Sequence, residues 1–466
     1  MTITDTDAQP AGGVTKLYLA AWRWHFYAGL FIIPFLSALA ITGMAMLWIA
    51  WIDGRDGERT AVVPLEAPLS VSQQAEAAVA ALPGGVLKQY VAPRDSDLAA
   101  IFRVDLDGDA VMVAVDPYTA KVVETFPRRS GWYDFADNLH SDLMLGVTGD
   151  RMLETAASLA MVLVATGLYM WWPRGAGWRA TLVPTIRRDQ ARGRMKWKSL
   201  HGVVGIWMSV FLVFFLISGL SWSGVWGEKM VQAWSQFPAE KWGNVPLSDD
   251  IHASMNHDRR EVPWALEQTP MPASGSDAGI AGITDGVVTM DTVDALARQI
   301  GFDARYQMNL PSGDNGVWTL SRDSMNTDST DPMSDRTVHI DRHTGKILAD
   351  VRYADYSLAG KAMAVGIALH MGTLGLWSVL ANTVVCLSVL FLCVSSVVMW
   401  WKRRPHGAGR LAAPPMPREL PLWQGAALVG LAVSMAFPMA GLILLAVLAL
   451  DTLILSRVPA LRRRLT

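Results

Sequence analysis

The chain has 466 residues, of which 51% are hydrophobic and 18% are charged, and it contains 20 Trp and 23 Met. This composition excludes a disordered, collagen-like or disulfide-framework protein and indicates a membrane protein with sizeable polar domains. The formal net charge of −2 gives no support for nucleic-acid binding, which needs a basic face, so no nucleic-acid partner is expected. Both cysteines, Cys386 and Cys393, lie in one apolar stretch and cannot form a disulfide that stabilises an exported domain.

Five apolar stretches predict about six transmembrane helices. About 20 apolar residues are needed to cross the hydrocarbon of a bilayer. The fifth stretch, 422–455, is about twice that length and has Pro438 near its middle, so it predicts a helical hairpin. The first stretch is too long for a cleaved signal peptide. The four stretches predicted to form single spans are 17–51, 152–172, 201–226 and 362–401.

Lys and Arg residues predict the orientation of these spans. Eight of them lie in the loop 174–198, and further clusters follow at 402–404 and 462–464. Since such clusters stay in the cytoplasm, both termini are expected to be cytoplasmic in a multi-pass protein of the bacterial inner membrane. The long segments 53–150 and 227–361, which are rich in Asp, are then periplasmic.

The predicted fold class is an α-helical integral membrane protein with two small α+β periplasmic domains. Its parts, in chain order, are the cytoplasmic N-terminus and first span (1–52), a periplasmic domain (53–137), a pre-helix and second span (138–173), a basic cytoplasmic loop (174–198), the third span (199–226), a second periplasmic domain (227–357), a pre-helix and fourth span (358–401), a cytoplasmic loop (402–421), and a two-span hairpin with a basic tail (422–466).

Landmarks of the first half recur in the second half. His25 lies 18 residues before Gly43, and His201 lies 18 residues before Gly219. Each pair brackets an apolar run of similar length. Both halves begin in the cytoplasm, which predicts an internal parallel duplication about an axis along the membrane normal.

A second pair of histidines also repeats. His140 precedes the dipeptide at Trp171 by 31 residues, and His370 precedes the dipeptide at Trp400 by 30 residues. Equivalent residues of a parallel repeat lie at similar depth. His25 and His201 are therefore expected near the cytoplasmic side, and His140 and His370 near the outer side.

The two exterior segments share a pattern of a helix, strands and a strand–turn–strand unit. The polar segments 265–290 and 323–335 predict loops. The predicted helices are 71–82 and 291–300; the strands include 99–104, 111–115, 317–320 and 336–340; the turns lie within 116–122 and 341–347.

Two pairs of histidines at symmetry-related positions suit haem, whose iron takes two axial imidazoles from facing helices. The absence of a C-x-x-C-H motif indicates non-covalent haem b, two copies being expected. Zinc is the alternative, but histidine pairs without nearby acids or cysteines suit a closed four-ligand zinc site poorly. The expected pairs of iron ligands are His25 with His201, and His140 with His370.

The other five histidines carry weaker signals. Two lie in a polar outer segment, two flank the second exterior turn and one lies in a cytoplasmic loop, and solvation at the surface is the expected role, with contact to an exterior iron chelate as the alternative for the first four. They are His252, His257, His339, His343 and His406.

Together these motifs resemble the PepSY-associated transmembrane family over about residues 15–405. The resemblance is carried by Trp and His in the first span, the exterior Asp-x-x-Thr-x-x-Val turn at 116–122, Leu-His before the second span, Leu-His-Gly at 200–202 and Leu-His-x-Gly at 369–372. It implies iron-regulated inner-membrane proteins, some of them di-haem ferric-siderophore reductases. It also implies PepSY-like exterior domains, and haem-ligand roles for His25, His140, His201 and His370.

The expected function is that of an oxidoreductase, a haem-b electron carrier that reduces a ferric siderophore or similar iron chelate on the periplasmic side. Reduction releases iron because oxygen-donor chelators hold Fe(III) more tightly than Fe(II). No G-x-G-x-x-G fingerprint opens a helix, so electrons are expected from quinol or a cytoplasmic reductase, within a lipid membrane. No catalytic side chain is predicted. The alternatives are a non-enzymatic PepSY-type binding or regulatory protein and a transporter of iron chelates.

Overall fold

A computed structural model describes most of the chain. The described residues are 16–173, 177, 181–184, 193–231, 236–256, 260–284, 286–404, 411–414, 423–450, 453 and 457–458. Contacts divide the chain into two compact units. The first unit comprises Met1–Ile41, His140–Glu228 and Val384–Thr466, and the second comprises Thr42–Leu139 and Lys229–Thr383. His257, His406 and most of the basic loop 174–198 lie outside the described residues.

The described α-helices include four that are long and apolar enough to cross a membrane, namely α1, α4, α5 and α8. In chain order the helices are α1 (Lys16–Ile52), α2 (Val71–Ala80), α3 (Trp132–Asp142), α4 (Val147–Trp171), α5 (Arg194–Leu220), α6 (Met290–Gln299), α7 (Leu358–Met371), α8 (Leu376–Arg403), α9 (Trp423–Ala436) and α10 (Pro438–Leu450).

The last apolar block forms two short helices, as the hairpin prediction requires. α10 begins at Pro438, at the predicted break, because proline has no N–H to continue the preceding helix. α10 packs on α9 and also on α4, where Ala440 is fully buried beside Ala156. Both helices are shorter than a typical span, so the count of six spans stays a prediction.

The fourth apolar stretch is not one helix, which corrects the prediction of a continuous run over 362–401. It breaks after α7 at Gly372, whose φ is +71°. A Cβ at this position would collide with the side chain of Leu47. Glycine therefore ends α7 in the left-handed conformation that other residues rarely adopt, and His370 lies in the last turn of α7.

The strands of both predicted exterior domains form a single antiparallel sheet of eight strands, which the sequence did not predict. Its order is β10-β9-β8-β7-β1-β2-β3-β4. The strands are β1 (Val86–Val91), β2 (Ala100–Leu106), β3 (Asp109–Val115), β4 (Val122–Pro127), β7 (Gln307–Asn309), β8 (Val317–Arg322), β9 (Arg336–Asp341) and β10 (Ile347–Arg352); β5 (Leu247–Ile251) and β6 (Pro270–Pro272) form a separate pair.

The junction of this sheet is the pairing of β1 with β7. Tyr90 lies opposite Met308 there, and the Gln89 side chain donates to Asn309 at 3.0 Å. The predicted exterior helices are present as α2 and α6, and the two pack on each other. A single apolar core runs under both halves of the sheet, from Val71 in α2 to Ile340 in β9.

The polar insert 323–335 is a loop, as predicted, but several of its polar side chains are buried. Asp323, Asp328 and Asp335 are each at most 4% exposed. Asp328 accepts a hydrogen bond from Arg305 at 3.0 Å, and Arg305 also lies 3.0 Å from Glu58. These three carboxyl groups are therefore an internal part of the second unit.

Candidate functional site

His25 and His201 face one another in the first unit. His25 lies on α1 and His201 on α5. Their ring centres are 6.4 Å apart, and the ring planes stand at 86°. The sequence predicted this pair, and the structure brings its two members together.

The imidazole of His25 is oriented by α4. Its Nδ1 lies 3.1 Å from the carbonyl oxygen of Leu163 and 3.2 Å from Oγ1 of Thr166. The carbonyl can only accept, and Thr166 donates its own proton to Val162 at 2.8 Å. Nδ1 must therefore carry the ring proton, which leaves Nε2 with a free lone pair.

The imidazole of His201 is oriented in the same way by α8. Its Nδ1 lies 2.8 Å from Oγ of Ser395, and Ser395 donates to the carbonyl oxygen of Leu392 at 3.0 Å. Because the single hydroxyl proton is used, Ser395 accepts from Nδ1, and Nε2 again keeps its lone pair. Histidines that bind metals are commonly oriented through the second nitrogen in this way.

The separation of the rings suits two ligands of one iron. A metal–imidazole bond measures ~2 Å and the ring centre lies ~1 Å behind the nitrogen, so two trans imidazoles have centres roughly 6 Å apart. The observed distance is 6.4 Å. Zinc fits poorly, because no group of three or more His, Cys, Asp or Glu among the described residues could hold a metal ion. His25 and His201 therefore fit the iron of a haem better than they fit a zinc ion.

Two arginines near these helix ends suit the haem carboxylates. The guanidinium of Arg403 stacks on Trp22 and Phe26, which flank His25. Its Nε is buried without a hydrogen-bond partner among the described residues, and so is Nε of Arg194. The two cations also repel one another. Arg403 donates through Nη2 to the carbonyl oxygen of Ala412 at 2.7 Å, so it is the Nε–H groups that remain for an anion, and propionate carboxylates are suitable partners.

The other two predicted ligands lie in short helices. His140 is in the last turn of α3 and belongs to the first unit, whereas His370 is in the last turn of α7 and belongs to the second. The side chain of Asn382 donates to the carbonyl oxygens of Leu369 and His370 at 2.7 and 3.1 Å. The pairing of His140 with His370 stays a prediction.

Sequence reasoning missed Thr166 and Ser395, although a signal was present. Each lies five residues before the Trp-Trp dipeptide that ends its helix, at Trp171 and Trp400. The hydroxyls thus follow the same repeat as the histidines that they orient. Arg194 and Arg403 served in the sequence only to predict the orientation of the spans. Their Nε atoms, which lack hydrogen-bond partners among the described residues, can be recognised only in the folded chain.

The prediction of solvated histidines is wrong for His252 and His339. Both are fully buried in the second unit, and their Nε2 atoms are 2.9 Å apart. Burial lowers the pKa of His252 to about 4 and lowers the pKa of His339 well below its usual value. His343 is exposed, as predicted.

Comparison with known proteins identifies one family. The family described as PepSY-associated TM region matches residues 22–403. That range includes His25, His140, His201, His370 and the whole exterior sheet. No curated protein matches the chain.

Proposed function

Because the chain belongs to the PepSY-associated transmembrane family, we propose that it is a haem-b protein of the inner membrane that reduces a ferric siderophore or similar chelate at its periplasmic face. The observation that carries this proposal is the His25–His201 pair, with ring centres 6.4 Å apart and both Nδ1 atoms hydrogen-bonded. Bound haem b supplies one-electron transfer.

The chain's own residues would hold and orient the group. His25 and His201 present two lone pairs, and Thr166 and Ser395 keep each ring in the required tautomer. An iron with two axial imidazoles has no free position for oxygen chemistry, so this ligand set favours electron transfer. His140 and His370 are proposed to hold a second haem toward the outer side.

The transporter alternative draws no support from the acid in α4. Glu154 is 2% exposed, and it accepts hydrogen bonds from the backbone N–H groups of Val225 and Trp226 at 3.1 and 2.8 Å. It therefore holds the turn that follows α5. An intramembrane acid that binds a transported ion would need its oxygens available.

Haem content is the direct test of the ligands. Each of His25→Ala, His140→Ala, His201→Ala and His370→Ala should lose about half of the haem, because one axial ligand of one site is removed. His25→Ala and His201→Ala should remove the same spectral component. The control is His343→Ala, at an exposed histidine, which should keep the full content. A colourless protein that binds no added haem would contradict the proposal and favour the non-enzymatic alternative.

The side of the reaction requires a second measurement. Dithionite-reduced protein in sealed proteoliposomes should be reoxidised by an impermeant ferric chelate only when the exterior domains face the chelate. A cysteine placed at Arg187, in a background without Cys386 and Cys393, reports the orientation of each preparation. Reoxidation only from the Arg-rich side would place the reaction in the cytoplasm instead.

A further inference from the structure

A small cavity lies in the second unit, between the loop 323–335 and α7. The space open to the centre of a water molecule is about 20 Å³, which is enough for one or two waters. Polar groups line one side and apolar groups the other. The polar lining comprises Trp264, Asp323, Ser324, Asp335 and Tyr356.

Two buried carboxylates in this lining lack a balancing cation. Asp323 accepts hydrogen bonds from the backbone and side chain of Asn326 at 2.7 and 2.9 Å, and Asp335 accepts from the backbone of Ser324 at 2.9 Å. Neither forms a salt bridge with any described residue, in contrast to Asp328. Two adjacent buried charges are unfavourable unless a proton or a cation neutralises one of them.

Two polar groups without hydrogen-bond partners indicate that a water molecule occupies the cavity. The hydroxyl of Tyr356 and Nε1 of Trp264 both lack hydrogen-bond partners within the described part of the chain. Tyr356 is 4% exposed and Trp264 is 7% exposed, so bulk water does not satisfy them. A buried polar atom is normally satisfied by protein or by ordered water. The cavity has room for that water.

The charged neighbours favour a proton on the pair. Burial raises the pKa of both Asp323 and Asp335, and each is raised further by an acidic neighbour: Asp323 by Asp328, and Asp335 by Asp323. Arg55 opposes this effect on Asp323, but it also faces Asp56, Glu58 and Glu261. Asp355 and the phenol of Tyr356 complete the titratable groups around the pair.

A metal ion is a weaker candidate for this position. No group of three or more His, Cys, Asp or Glu in the described ranges could hold one. A hard cation such as Ca²⁺ takes six to eight oxygen ligands. The carboxyl oxygens of Asp323 already accept two hydrogen bonds from Asn326.

The cavity adjoins the helix that carries His370. Gly360, Ala364 and Ile367 of α7 form part of its wall. Residues three apart lie on the same side of a helix, and they are ~4.5 Å apart along its axis. The cavity therefore lies about one turn from His370.

We propose that Asp323 and Asp335 form a proton-binding site that shares one proton with water in the cavity, and that this proton is linked to the charge at His370. The link to His370 rests on the proposed function, whereas the site itself does not. Where the pair lacks this proton, one electron added near His370 is accompanied by uptake of one proton from the outer aqueous phase, so that the local charge is unchanged; where the pair already holds it, the electron makes the proton bind more tightly.

Infrared spectroscopy of the whole protein tests the site. At neutral pH the protein should show the C=O stretch of a protonated carboxyl group that shifts in D₂O. Asp323→Asn and Asp335→Asn should each remove it, and Tyr356→Phe, which keeps all carboxyl groups, should shift it. Asp303→Asn, at an exposed aspartate, is the control. An identical spectrum in all variants overturns the site, and so does loss of the band when Ca²⁺ is added at constant pH.

The pH dependence of the outer haem potential tests the link. Between pH 6 and 9 the potential should fall as pH rises, and the fall should be absent in Asp335→Asn. An unchanged slope in that variant overturns the link. If the protein binds no haem, the proposed function fails, while the infrared result still decides the proton site.

Discussion

At the residue scale, the orientation of His25 and His201 depends in part on two hydroxyl groups. A histidine can bind iron through Nε2 only if the ring proton stays on Nδ1. For His25 the acceptors are Thr166 and the carbonyl oxygen of Leu163 in α4, and for His201 the acceptor is Ser395 in α8. Each hydroxyl donates its own proton to a backbone carbonyl oxygen. It can therefore only accept a hydrogen bond from Nδ1.

Removing these acceptors should weaken haem binding without removing a ligand. Ser395→Ala and Thr166→Val are each expected to lower haem affinity by roughly 10–100-fold and to shift the midpoint potential of the inner haem. Haem titration and a redox titration measure the two effects. Ser396→Ala removes a hydroxyl that donates to the same Leu392 carbonyl and should change neither. Equal behaviour of Ser395→Ala and Ser396→Ala would refute the orienting role.

His252 and His339 show a different use of histidine. Nδ1 of His252 donates to the carbonyl oxygen of Thr269 at 2.7 Å, so its Nε2 accepts from Nε2–H of His339. Thr319 then donates to Nδ1 of His339 at 3.0 Å. Every ring nitrogen is satisfied only while both rings are neutral, and burial opposes a charge on either.

This pair predicts a loss of stability in acid. The folded pKa of His252, about 4, lies below its ordinary value of 6.5, so protons bind the unfolded chain more strongly. Its contribution is therefore present above pH 6.5, and it is lost as pH falls toward 4, by on the order of 3 kcal/mol. Thermal unfolding followed by tryptophan fluorescence measures this, since Trp242 lies 6.1 Å from His252.

The matched variants separate this pair from other titrating groups. His252→Gln should be less stable at pH 7 and should lose less on acidification from pH 6.5 to 4. His343→Ala, at the exposed histidine, should retain the full acid dependence. The same acid loss in His252→Gln as in the unaltered protein would rule out the pair as its cause.

At the scale of elements, a helix end positions a predicted ligand. α7 ends one residue after His370, and Gly372 follows in the left-handed conformation. The last carbonyl groups of a helix have no partner within it. Asn382 of α8 supplies one for Leu369 and for His370. The side chain of Asn382 thus fixes the turn that carries His370.

Loss of the Asn382 hydrogen bonds should affect only the haem that is proposed to bind His370. Asn382→Leu keeps the side-chain volume but removes both hydrogen bonds, so the outer spectral component should broaden or fall while the inner one is unchanged. Low-temperature visible spectra resolve the two. Ser388→Ala, at a half-buried position of α8 whose hydroxyl donates to Val384 of its own helix, serves as control. Parallel loss of both components would indicate general misfolding of α8 instead.

At the scale of the whole molecule, the exterior sheet joins the two halves of the sequence. β1 and β7 pair at its centre, and α2 and α6 cover one core. The backbone N–H of Ser72 donates to the side chain of Asp291 at 2.9 Å between these helices. Neither half buries its apolar surface without the other, so the sheet is expected to unfold as one unit.

A substitution in one half should therefore loosen the other. Met308→Ala in β7 removes a fully buried side chain and is expected to cost about 2–5 kcal/mol. Hydrogen exchange should become faster in β2 and in β9 by the same factor. Met333→Ala, at a methionine that is 68% exposed, should leave both unchanged. Faster exchange confined to β7–β10 would show that the halves unfold separately.

The sequence by itself determined the apolar helices, most of the exterior helices and strands, and the four repeated histidines. These features follow from local patterns: the length of apolar runs, the spacing of side chains along one element, and proline or glycine at a break. The candidate site was therefore predictable as a set of residues.

Only the tertiary structure decided what those residues meet. The acceptors of His25 and His201 lie 141 and 194 positions away. The β1–β7 junction joins residues 220 positions apart, and Asp323, Asp328 and Asp335 of the polar loop are buried. Contacts at such separations depend on how complete elements pack against each other. A local pattern of polar and apolar residues does not specify that packing.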